Sequence, residues 1–185
     1  MSNKTINKLN PSSIIDIRKK IDSEITKSWS IIKHENLMSK KARTAGLGSG
    51  CDLKSLYNRI TQLQERRIKI KGMLQALNMG VTTFDYEEFK KTNNYAIFAA
   101  CEAKEAIAHW KMVMQKATIN PTEKSKKGLE STGKSEIFTS AKITSLLKKL
   151  QLEANKYDAK LEKFNSSTEI AIDDCIEDFK EYLTI

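Results

Sequence analysis

The chain has 185 residues, enough for one domain with a sizeable core, and is 30% charged and 7% aromatic with seven glycines and two prolines. That mixture favours long helices and gives strands little support. The formal net charge is +9 and unevenly placed: residues 171–185 carry Asp173, Asp174, Glu177, Asp178 and Glu181 against Lys180, so residues 1–170 hold +13. A body so charged attracts polyanions, nucleotides or acidic surfaces. Cys51, Cys101 and Cys175 are odd in number and far apart, with neither metal-ligand spacing nor a disulfide framework, which suits a reducing cytoplasm. No apolar signal segment opens the chain and no run reaches the length of a membrane span. The expectation is a soluble cytoplasmic protein of a bacterium, or of a phage acting in its host's cytoplasm.

Asn10-Pro11-Ser12-Ser13 supplies a capping asparagine followed by proline in the first helical turn. Ile14, Ile17, Ile21, Ile25, Ser28 and Ile32 follow at spacings of three and four, predicting a first helix to about Ser39 with Trp29 bordering its apolar stripe. Lys40-Lys41-Ala42-Arg43 and Gly46-Leu47-Gly48-Ser49-Gly50 predict a flexible basic linker over 39–51. Its glycines resemble a phosphate-cradling loop, but the Gly-Lys-Ser/Thr ending is missing and no strand precedes it.

Leu53, Leu56, Ile60, Leu63, Arg67, Ile70, Leu74 and Leu77 then alternate spacings of three and four, an unbroken heptad seam. Asp52 stands at its start and Asn78 is placed to end it in a left-handed conformation. Arg67 occupies a position where the seam asks for an apolar side chain. Lys71, four residues on, shares its side of the helix, and Arg66 lies beside it, so the like charges need compensation. Three sources fit the pattern: water at the helix edge with the arginine stem snorkelling outward, a carboxylate such as Asp158 or Glu105, or an anionic ligand held between helices.

Asp85 and Glu88 have capping-box spacing and open a third helical region to about Ala117, interrupted near Thr92-Asn93-Asn94. Ala96, Ala99, Ala100, Ala103, Ala106 and Ala108 let neighbouring helices approach it closely, and Lys104, His109, Trp110 and Lys111 lie on the same segment. Glu102 and Glu105 read as solvated helix charges. Asn120-Pro121 ends the helix, and Lys124, Lys126 and Lys127 mark a second flexible basic loop over 118–135. A fourth helix over about Ser140 to Phe164 carries the seam Ile143, Leu147, Leu150, Ala154, Tyr157, Leu161 and Phe164. Residues 171–185 read as an acidic amphipathic tail after a bundle domain over 1–170. The fold class is all-α: an antiparallel helical bundle with coiled-coil-like helices and enough apolar surface for a homo-oligomer.

An offset of 87 residues superposes the second helix on the fourth, pairing Leu56 with Ile143, Ile60 with Leu147, Leu63 with Leu150, Ile70 with Tyr157 and Asn78 with Asn165. Arg67 then falls on Ala154, so the architecture does not itself demand a charge there. The block Arg66-Arg67-x-x-Ile70-Lys71 with Leu74 and Asn78 resembles one found in small helical proteins of phages and bacteria, some called septicolysin-like. Asp158, Leu161, Asn165, Thr168 and Ile170 are similar to the closing block of that family, and Glu105-Ala106-Ile107 to its middle Ala-Glu-Ala-Ile segment. The resemblance spans roughly residues 53–172 with gaps. It implies a helical bundle without established catalytic residues.

His34 and His109 fall on different predicted helices with no Cys or carboxylate at ligand spacing, so no metal site, cofactor or catalytic residue is expected. No nucleophile–base pairing, hydrolase or kinase signature, or dinucleotide fingerprint is present. The reading is therefore a binding protein, not an enzyme. In its first form a helical oligomer sequesters a small phosphate-bearing, nucleotide-derived ligand, a viral anti-defence sponge. Arg66, Arg67, Lys71 and Asn78 would grip phosphates, with Lys104, His109 and Trp110 nearby and Trp110 or Tyr57 stacked on a base. The alternatives are a nucleic-acid binder using the two basic loops, or a structural and partner-binding module whose seams recruit other helices.

Overall fold

The structure, a computed structural model, describes residues 9–36, 46–119 and 137–169. These hold five helices and no strand: α1 (Pro11–Glu35), α2 (Leu53–Asn78), α3 (Tyr86–Lys91), α4 (Asn93–Ile119) and α5 (Ser140–Ser167). The fold is an all-α helical bundle. Most of both basic loops and the C-terminal tail lie outside the described residues.

Local chemistry sets the helix ends. The Asn10 side-chain oxygen accepts from the Ser13 N–H at 2.7 Å, with Pro11 opening α1. Asp52 caps α2 by accepting from Lys54 and Ser55, Asp85 caps α3, and Thr139 caps α5. Thr92 separates α3 from α4: its N–H and hydroxyl both go to the Phe89 carbonyl, while its Oγ1 accepts from Tyr95 N–H at 3.2 Å. Helix α2 ends at Asn78, as the sequence suggested, but Asn78 is not the left-handed residue. Val81 N–H bonds to Ala76 O and Gly80 N–H to Leu77 O, a Schellman turn whose left-handed residue is Gly80 at φ 75°. Glycine adopts that conformation without a Cβ clash, which asparagine does not. Asn165, its counterpart in the 87-residue offset, does not end α5, which continues to Ser167.

Cross-helix pairs fix the topology. Arg59 reaches Glu24 and Arg67 reaches Asp22, so α1 and α2 run antiparallel. Tyr95 lies against Tyr157 and Trp110 against Phe138, so α4 and α5 are antiparallel too. Tyr57 meets Trp110 while Lys71 lies over Phe98, which sets α2 against α4. Helix α4 is the central element: among the described residues it packs on α1, α2, α3 and α5, whereas the extensive helix packing of α5 is on α4. The alanines make this possible, since Ala96, Ala99, Ala100, Ala103 and Ala106 are all buried.

The core is aromatic at one end. Trp29 and Trp110 are both fully buried, their ring centroids 5.3 Å apart at 87°, and Tyr57 and Phe138 complete the cluster. Ile14, Ile21, Ile25 and Ile32 of the predicted α1 stripe are in the core, but Ile17 is exposed. The stripe is narrower than the spacing implied because, among the described residues, α2 and part of α4 are what cover α1. At the other end, Phe84 and Phe89 press directly on Gly72 of α2.

Candidate functional site

Arg67 is buried, at 8% exposure, and its charge is met inside the protein. Its Nε donates to Glu102 Oε1 at 2.8 Å, and its Nη2 to both Glu102 Oε2 and Glu105 Oε2. Nη1 reaches Asp22 Oδ1 at 3.2 Å. Lys71 Nζ lies 3.0 Å from Glu102 Oε1, and Arg18 pairs with the other oxygen of Asp22 at 3.7 Å. Three cations thus face three carboxylates across α1, α2 and α4. Burial pushes the Arg67 guanidinium toward deprotonation, but its bonds to Glu102 and the charges of Glu102 and Glu105 more than reverse this. His109, 3.8 Å away, and then Arg67 hold the Glu105 carboxyl at about 2 against burial.

Of the three compensations open for Arg67, the structure contains the acidic neighbour. Glu105 is one partner, but Asp158 is not: it pairs with Lys104 at 2.8 Å on an exposed face. The main partner is Glu102, which the sequence reading took for a solvated charge and which is 5% exposed. It lies on the same helix face as the buried Ala99, Ala103 and Ala106.

The seven residues expected to grip a ligand do not converge. Arg67, Lys71 and His109 are brought together, but around carboxylates. Arg66 and Asn78 are exposed. Trp110 cannot stack on a base, because it is enclosed by Trp29, Tyr57 and Phe138. His109 stacks on Trp29 at 4.7 Å, which places it at the edge of the core. The glycine loop does receive an anion, though an internal one. Ser49 N–H donates to Glu35 Oε1 at 2.6 Å, and Gly48 lies so close that a Cβ there would stand 3.2 Å from Glu35 Oε2.

The more open feature is a cleft of about 120 Å³ between α2 and α5, floored by Ala99, Ala103 and Ala106 of α4. It exists because α5 leans on α4 without packing along α2. Tyr57, Glu65 and Ile68 line one wall, and Leu150, Glu153 and Tyr157 the other, with Tyr95 rising from α4. Burial and then the charge of Glu65 raise the Tyr95 hydroxyl well above the ordinary phenol range. Burial and then Glu153 also raise the Tyr157 hydroxyl above its ordinary value. Glu65 also accepts the Tyr86 hydroxyl proton in a hydrogen bond. A second, shallower cleft of about 540 Å³ at the α2–α3 corner is bordered by Met79, Val81, Phe84 and Phe89 with Asp85, Glu88 and Lys91.

Both clefts are therefore lined more by carboxylates than by cations, the reverse of what a phosphate-bearing ligand requires. The described residues hold no group of three or more side chains suited to a metal ion. No described helix is long and apolar enough to cross a membrane. No protein-family model, curated protein or solved structure matches the chain, so the likeness to septicolysin-like proteins rests on its quoted residues alone.

Proposed function

We propose that this protein is a non-enzymatic helical docking module, whose cleft between α2 and α5 receives a segment of another polypeptide. The observation that carries this reading is the incomplete coverage of α5. Among the described residues its seam side chains Leu150, Tyr157 and Leu161 stay half-buried and Phe164 is 43% exposed, since α4 is the helix among them that packs along it. A groove with an apolar floor and walls of tyrosine and leucine matches the way helical surfaces accept side-chain anchors. Its volume of about 120 Å³ suits one or two side chains. Whole small-molecule ligands typically occupy pockets of roughly 300–1,000 Å³.

Sequestration of a small anionic ligand draws less support, since Arg67 and Lys71 are already engaged by carboxylates. A second copy of the chain is one candidate partner, and sedimentation equilibrium distinguishes an oligomer from the 21.0 kDa monomer. The docking reading is tested with a displayed random-peptide library panned against the full chain and against Thr61→Trp, which fills the cleft mouth from an exposed α2 position. Peptides enriched on the native chain are expected to lose about tenfold or more in affinity for the variant, the loss of roughly 1.4 kcal/mol of contact. A library yielding no binder sensitive to Thr61→Trp overturns the reading.

A further inference from the structure

We infer that the α2–α5 cleft seats a cationic side chain, the ammonium of a lysine or the guanidinium of an arginine, presented by the docked polypeptide. This rests on the docking reading above and adds its chemistry. Three observations carry it.

The first is the pairing of aromatic rings with carboxylates at one small opening. Tyr57, Tyr95 and Tyr157 line it, and Glu65 and Glu153 stand on opposite walls. A cation held over a tyrosine face gains from the ring quadrupole, and more when water is excluded. Thr61, Gln64 and Glu102 also line the opening beside the alanine floor, but the Glu102 carboxylate is already held by Arg67 and Lys71 and the Gln64 amide donates to the Glu102 carbonyl.

The second is that Glu153 has no ion-pair partner among the described residues, although α5 carries Lys149 and Lys156 within one turn of it. Its charge nonetheless reaches the cleft, where it acts on both Tyr95 and Tyr157. Glu65 spends one oxygen on the Tyr86 hydroxyl. Among the described residues its second oxygen has no hydrogen-bond or ion-pair partner.

The third is what the neighbouring rings do. Lys69 Nζ lies 5.0 Å and Lys90 Nζ 4.6 Å from the Tyr86 ring centroid, and Lys71 Nζ 5.6 Å from that of Phe98. This aromatic surface is thus covered by ammonium groups wherever the chain supplies its own. Among the described residues none lies over Tyr57, Tyr95 or Tyr157. The cleft is the uncapped part of the same surface, and about 120 Å³ admits the end of one lysine or arginine side chain.

The test titrates the full chain with n-butylammonium chloride, following the Tyr95 and Tyr157 ring resonances by NMR, with n-butanol as the neutral probe of similar shape. Butylammonium is expected to shift both rings saturably, at concentrations at least about fivefold below those butanol needs, the scale of a partly desolvated cation–π contact with a nearby carboxylate. Glu153→Gln is expected to weaken the ammonium about threefold to tenfold while leaving thermal unfolding and the butanol response unchanged. Equal responses to the two probes, no response to butylammonium, or an unaltered affinity in Glu153→Gln overturns the inference. A second arm separates it from the docking reading. Peptides selected for the cleft are resynthesised with norleucine for lysine and citrulline for arginine. Retained cleft binding then sinks the cation inference and leaves docking intact. Butylammonium binding without any cleft-dependent peptide sinks the docking reading instead.

Discussion

The Asn36 side chain closes both backbone groups of Phe138, a residue 102 positions downstream: its Nδ2 donates to the Phe138 carbonyl at 3.0 Å and its Oδ1 accepts the Phe138 N–H at 2.8 Å. One carboxamide thus imitates a strand pairing and sews the end of α1 to the start of α5, beside the two tryptophans. Asn36→Ala strands a buried donor and a buried acceptor, each costing about 1–3 kcal/mol. Asn36→Asp keeps the acceptor, loses the donor and buries a charge. Both are expected to lower the urea midpoint, and the loss of Trp29 and Trp110 fluorescence is the convenient readout.

Arg67→Leu is expected to destabilise the protein even though leucine completes the α2 seam. Removing one partner of a buried ion pair costs about 3–5 kcal/mol. Lys71 still touches Glu102 in the variant, so the lower end of that range applies. Arg67→Leu combined with Glu102→Leu removes both charges and is expected to recover most of the loss, since replacing a whole buried pair with apolar residues is often neutral or stabilising. Chemical denaturation of the single and double variants measures this. An Arg67→Leu protein as stable as the native one contradicts the ion cluster.

Acid is expected to weaken the same cluster. Glu105 has a folded pKa of about 2 against an unfolded 4.5. Its contribution is therefore fully present above pH 4.5 and is lost as pH falls toward about 2. Glu105 is partly exposed, so solvent screens much of the effect. The checkable result is a comparison: Glu105→Gln should show a shallower fall in unfolding midpoint between pH 4.5 and about 2 than the native chain does.

Gly72→Ala is expected to destabilise, contrary to helix propensity. Alanine favours a helix over glycine by about 1 kcal/mol. At this position, however, the new Cβ would lie 2.7 Å from Phe89 Cε1 and Cζ and 3.0 Å from Phe84 Cζ. Phe89 has little room to turn, being packed among Phe84, Tyr86, Tyr95 and Phe98. Overpacking of this kind costs about 1–3 kcal/mol, so after the helix gain a net loss of up to about 2 kcal/mol is expected in thermal unfolding.

The helices themselves were legible in the sequence because each carries its own punctuation. Asn10-Pro11, Asp52, Asp85 and Thr92 act locally, and a cap needs nothing beyond the next three residues. Partner choice was not legible, since it depends on which faces meet. Arg67 announced itself by breaking a seam, yet its main partner Glu102 sits in a segment where alanine on several faces hides which side is buried. The cleft was less visible still. Its walls come from α2, α4 and α5, and its existence depends on α5 failing to pack along α2, which a complete heptad seam argues against. Asn78 is the last residue of α2 as the sequence suggested, but the left-handed turn falls two residues on, at Gly80, which reaches it at no steric cost.

A helix held along one side can leave without the others. The start of α5 is pinned through Phe138 and Ile143, but past Ala154 its ties are Tyr157 on Tyr95, Lys104 on Asp158 and the Lys160 ammonium on the carbonyls of Lys91 and Thr92. Amide hydrogen exchange is therefore expected to run in a gradient along α5, slow near Ile143 and fastest toward Ser167, while α2 and α4 exchange with global unfolding. Such a gradient makes the distal half of α5 a hinged flap. In the docking reading proposed above, its opening would widen the groove while the tryptophan cluster stays in place, so that a partner is admitted at a free-energy cost below that of unfolding the bundle.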